Sequence, residues 1–113
     1  MFVFEKFPVY LSAEKLYLDV VNKLKHTRVP NYLRDQLERA LASITLNIAE
    51  GAGKYGKKGK RNFYLIARGS CHESAAAIRL LRPYQFEEQV IMQWVNELEI
   101  IGKMLSGLVR SLE

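Results

Sequence analysis

The stretch Ser43-Ile44-Thr45-Leu46-Asn47-Ile48-Ala49-Glu50-Gly51-Ala52-Gly53-Lys54-Tyr55-Gly56-Lys57-Lys58-Gly59-Lys60-Arg61 decides how this chain folds. Its first half continues an apolar repeat at three-and-four spacing that starts further back, with Leu33, Leu37, Ala40, Leu41, Ile44 and Ile48 on one face. That is the period of a helix, not of a strand. The repeat stops at Gly51 and Gly53, where glycine favours a helix end. Beyond the basic run a second repeat begins, with Phe63, Ile66, Ala67, Ser70, Ser74, Ala77 and Leu81 on one face and Pro83 after it. Two helices joined by a Gly-rich connection over residues 51–59 therefore form the centre of the chain, the first opening at Asn31 as N-cap and the second starting within Lys57–Asn62.

Outward from this hairpin the same period continues. Ala13, Leu16, Val20 and Leu24 mark a helix from about Val9 to His26, closed before Pro30. Val90, Trp94, Leu98, Ile101, Leu105 and Leu108 mark another from about Phe86 to Arg110. No segment shows the sustained alternation of a half-buried strand. Four helices with short connections predict an all-α, antiparallel up-down-up-down four-helix bundle, one domain over residues 1–113, roughly 30 Å long at 1.5 Å rise per residue. Leu11 and Leu18, and Ile91, Val95 and Ile100, fall outside the main stripes. Second apolar stripes on two helices need a cover, so self-association is expected.

At 113 residues, 49% apolar and 26% charged, the chain fills one core and no more. No apolar run approaches the roughly 18 residues of a membrane span, so no membrane partner is expected. Glu5 and Lys6 interrupt the N-terminus where a signal peptide needs an unbroken apolar stretch. The single cysteine, Cys71, cannot form an intramolecular disulfide, and a cytoplasmic location is expected.

The charge is concentrated. Seventeen basic and twelve acidic side chains give +5, and Lys54, Lys57, Lys58, Lys60 and Arg61 hold the excess, because the remaining chain balances at twelve against twelve. From Gly51 to His72 there is no acid, and Arg68 adds a further cation. Such a run is either a solvated face or a patch for a polyanion. Tyr55, Phe63 and Tyr64 flank it and are candidates for stacking on unpaired bases, Phe63 being also a core residue of its stripe.

Catalytic signals are weak. His26 and His72 belong to no metal-binding pair, and Cys71 and His72, adjacent on a helix, diverge by about 100°. The glycine-rich connection lacks the Gly-Lys-Ser/Thr of a phosphate loop and the preceding strand that such a loop requires. No enzymatic activity, cofactor or metal is expected. A polar set stands within the helical core, Asn47 and Glu50 on the second helix with Arg68, Ser70 and Glu73 on the third. A hairpin allows a Glu50–Arg68 contact that fixes helix register, or a binding role for the same groups.

Asp35 to Glu73, with Ser43-Ile44, Asn47-Ile48-Ala49-Glu50-Gly51-Ala52-Gly53-Lys54, Phe63, Ile66-Ala67-Arg68-Gly69-Ser70 and Glu73, resembles the four-helix-bundle family of proteins encoded by intervening sequences in bacterial 23S rRNA genes. The ending Glu99-Ile100-Ile101-Gly102-Lys103-Met104-Leu105, with Leu108, fits that family's last helix. The resemblance implies a ring-shaped homopentamer without enzymatic activity that binds nucleic acid, and RNA is the expected partner. It also reaches the accessory variability determinants of diversity-generating retroelements. For these the implied role is an adaptor, and the partners are a reverse transcriptase and its template RNA. Lys54, Lys57, Lys58, Lys60 and Arg61 are the expected contacts. The chain departs from the family pattern at Gly56, Gly59 and Lys60, which predicts a frayed start of the third helix and a longer loop.

Overall fold

The computed structural model describes residues 1–113 and contains helices and no strands. A short 3-10 turn over Val3–Lys6 leads into α1 (Pro8–Lys25), α2 (Asn31–Ala52), α3 (Lys57–Arg79) and α4 (Glu88–Ser111). The four helices pack into a body of 44 × 24 × 22 Å. Gly51 meets Tyr64, Ser43 meets Ser70 and Gln36 meets Glu73, so α2 and α3 run in opposite directions. α1 starts where proline is tolerated, with Pro8 in the first turn. Asn31, expected as N-cap, is instead the first residue of α2, because the Pro30 carbonyl already accepts from the Leu33 and Arg34 amides. Arg34 reaches back from α2 and donates from Nη2 to the carbonyls of Leu24 (3.3 Å) and Thr27 (3.2 Å), fixing the α1–α2 corner.

The expected faces of α1 and α2 are the observed ones: all ten residues of their two stripes are buried. Of the seven residues expected on the α3 stripe, Ala67, Ser70, Ser74, Ala77 and Leu81 are buried, but Ile66 is exposed and Phe63 half-buried, and Tyr64, Cys71 and Ile78 join the core. The reason is that α3 packs between α2 and α4, and the apolar residues nearest its axis of contact with both are these. On α4 Ile91 and Val109 are buried, and Val90 and Leu108, expected in the core stripe, are only partly buried. Ile91 thus belongs to the core and not to a second stripe. Leu11, Leu18 and Ile100 are exposed, and Val95 is partly buried.

α3 begins at Lys57, at the early end of the expected range, and the α2–α3 connection is Gly53–Gly56 alone. Gly56 supplies the extended backbone of an N-cap (φ −87°, ψ 150°). The helix is continuous through Gly59, and the stem of Lys54 packs there, 3.4 Å from where a Cβ would stand. Lys57, Lys58, Lys60 and Arg61 therefore sit on helix, not in a loop. No helix is long and apolar enough to cross a membrane.

Candidate nucleic-acid interface

The α2–α3 corner gathers all five basic residues expected to touch nucleic acid, and their surroundings divide them. Lys60 donates from Nζ to the Ala52 carbonyl (3.1 Å) and so caps the end of α2. Lys54 folds over the Phe63 ring, with Nζ 5.1 Å from its centroid, a cation–π contact. Lys57 and Lys58 are exposed and Arg61 half-buried, and none of the three is in an ion pair. The two ion pairs of the molecule, Arg82–Glu88 at 2.7 Å and Lys103–Glu99 at 3.8 Å, lie elsewhere.

These cations stand at the end of α3 where the helix already carries positive charge. The amides of Lys57, Lys58 and Gly59 have no acceptor within the helix, and Gly56 has no side chain to cap them. A first turn ordinarily favours acids, each cation there costing roughly 0.3–1 kcal/mol. α3 has no acid in its first turn. The result is a corner of unpaired cations, free amide donors and an aligned dipole, which is the electrostatic form of an anion site.

Of the three aromatic residues expected to stack on bases, Tyr55 is fully exposed at the tip of the connection. Phe63 is half-buried under Lys54. Tyr64 is withdrawn altogether: it is buried against Gly51, and that burial raises its hydroxyl above the ordinary tyrosine pKa.

The polar set of the core is brought together only in part. Ser43 Oγ and Ser70 Oγ lie 2.8 Å apart across the α2–α3 seam, and Asn47 Nδ2 donates to the Ser43 carbonyl (2.8 Å) and hydroxyl (3.0 Å). Ser70 also donates to the Ile66 carbonyl (3.1 Å), and Gln36 Nε2 donates to the Glu73 carboxylate. The Glu50–Arg68 contact does not exist. Arg68 faces α4, where Nη1 donates to Ser106 Oγ (3.3 Å), and Glu50 is exposed beside the N-terminal turn. Position 68 lies about three helical turns from the connection on α3, out of reach of a residue one turn before it on α2. Ser43, which links Asn47 to Ser70, was missed as a member; its signal was the i, i+4 spacing to Asn47.

The Cys71 thiol is buried, and burial pushes its pKa up to about 12. No group of three or more His, Cys, Asp or Glu side chains is placed to hold a metal. A comparison with curated proteins found no match. The family model described as 23S rRNA-intervening sequence protein matches residues 5–107, most of all four helices. The motif-bearing hairpin and most of the fourth helix fall together within that match, and the chain belongs to the 23S rRNA-intervening sequence protein family.

Proposed function

We propose that this protein is a non-enzymatic, cytoplasmic RNA-binding protein that engages the phosphate backbone at the start of α3. Lys57, Lys58 and Arg61 make the primary contacts, Lys54 and Lys60 add charge from their anchored positions, and Tyr55 stacks on an unpaired base. The observation that carries this reading is the placement of unpaired cations on the first turn of a helix, where they lower its stability. Charge kept at an energetic cost points to a ligand of opposite sign. Membership of a family named for an rRNA-intervening sequence favours RNA as the polyanion. A buried thiol held near pKa 12 is a poor nucleophile, which supports the non-enzymatic reading.

The working form in this proposal is the homopentamer that the resemblance implies. Leu11 and Leu18 on α1 and Ile100 on α4 are exposed apolar side chains suited to a subunit contact. So is the apolar groove between the N-terminal turn and the end of α2, with Phe2, Val3 and Leu46 open to solvent. In a ring, five α3 starts would form one basic zone.

Fluorescence anisotropy of labelled single-stranded RNA tests the proposal. With three to five phosphate contacts per site, affinity falls about 20- to 100-fold between about 50 and 200 mM salt. Binding that is absent at low salt, or insensitive to salt, contradicts it.

A further inference from the structure

Away from that corner, α3 and α4 enclose a groove of about 320 Å³. Its floor is apolar, with Cys71, Val95 and Leu98, and its mouth carries the cations Arg68 and Lys103, with His72, against the single acid Glu99. Arg68 is half-buried and makes one hydrogen bond, to the neutral hydroxyl of Ser106. A guanidinium has five N–H donors in a planar fork, and no carboxylate engages this one. Lys103 is held only by a 3.8 Å contact to Glu99 in which both side chains are largely exposed, a pair that water and salt screen. His72 uses Nδ1 on the Arg68 carbonyl (3.0 Å), and its Nε2 has no protein partner.

Gly102 keeps the groove open. It lies within α4 in ordinary helical backbone, and a Cβ there would meet nothing within 4 Å. Neither a positive φ nor a close approach requires glycine at this position. Gly102 lines the groove beside Arg68, Cys71 and Leu98, and its missing side chain leaves that wall open.

We propose that this groove binds a small organic anion, a carboxylate or phosphate group on an apolar body. The Arg68 fork takes the head group bidentately, Lys103 adds charge, and the body lies on Cys71, Val95 and Leu98. The site stands apart from the start of α3 and does not depend on RNA binding there.

Calorimetric titration of the full chain with benzoate and with phenyl phosphate tests it, inorganic phosphate and benzyl alcohol each carrying half of the recognition. Benzoate or phenyl phosphate should bind saturably at about 1 mM, the strength expected of about ten non-hydrogen atoms. The two half-ligands should bind at least about tenfold more weakly. Arg68→Gln should weaken the organic anion at least about tenfold. Gly102→Leu, which places a helix-favouring side chain in the groove, should abolish binding with the helical circular dichroism intact. Four results overturn the proposal: no saturation by about 20 mM of either organic anion, inorganic phosphate binding as tightly as phenyl phosphate, or unchanged binding in a folded Arg68→Gln or a folded Gly102→Leu variant.

Discussion

Gly51 and Tyr64 close the end of the α2–α3 hairpin by direct contact: a Cβ on Gly51 would stand 2.8 Å from Tyr64 Cε1 and 3.1 Å from Phe63 Cβ. Tyr64 is almost wholly buried, so its ring cannot swing away into solvent. The glycine is thus required by packing and not by backbone conformation, since its φ is helical. Gly51→Ala gains about 1 kcal/mol of helix propensity. It nevertheless should lose about 1–3 kcal/mol through overpacking. Urea unfolding should show a lower midpoint, and a midpoint equal to or above the parent's would mean that the contact is looser than described.

Ser74 lies on the opposite balance. Its hydroxyl is fully buried on α3 and has no hydrogen-bond partner. Burying such a group unpaired costs about 1–3 kcal/mol, and alanine is the better helix former. Ser74→Ala should therefore raise the urea midpoint at unchanged slope, by about 1 kcal/mol in stability.

Cys71 gives the fold a dependence on alkaline pH. Its pKa is about 12 in the folded protein against 9.0 for the free thiol. Below pH 9 the thiol is protonated in both states and contributes no slope. Above it the unfolded chain loses the proton first, so the unfolded state binds fewer protons and stability falls as pH rises. The slope approaches about 1.4 kcal/mol per pH unit between the two values. The buried tyrosine Tyr64 adds the same sign from about pH 10 upward. Unfolding measured at pH 8, 9 and 10 should show this decline in the parent and a smaller one in Cys71→Ala.

How much of this was legible in the sequence depends on which helix is read. On α1 and α2 the main apolar stripe is legible in its observed phase, and every residue of it is core. α3 and α4 carry apolar residues at adjacent positions, Phe63 beside Tyr64 and Val90 beside Ile91, so period alone does not choose the phase. In α3 the buried ring is Tyr64, which packs against Gly51 on another helix, a contact that the period of α3 does not contain. The basic residues were legible as a cluster, but their place on a helix was not. α3 starts at Lys57 and runs unbroken through Gly59, which its low helix propensity does not foretell.

The polar set shows the same limit. Asn47 and Ser70 come together through Ser43, whereas Glu50 and Arg68 stand at different levels of the hairpin, as the pairs Gly51–Tyr64 and Ser43–Ser70 show once the ends of the connection are known. Glu50 is exposed and unpaired, so Glu50→Ala should change stability by no more than about 0.5 kcal/mol. A loss of about 1 kcal/mol or more would restore a structural role for that carboxylate.

The start of α3 carries the central claim, and there stability and binding pull in opposite directions. Lys57→Glu/Lys58→Glu puts two acids where the dipole and free amides favour them, without touching the Lys60 cap or the Lys54–Phe63 contact. The most direct measurement is a paired one on this variant, urea unfolding beside RNA anisotropy at low salt. Stability should be equal to or up to about 2 kcal/mol above the parent's. RNA affinity should fall at least about tenfold, through lost counterion release and repulsion of phosphate. A folded variant that binds RNA as tightly as the parent would contradict the account.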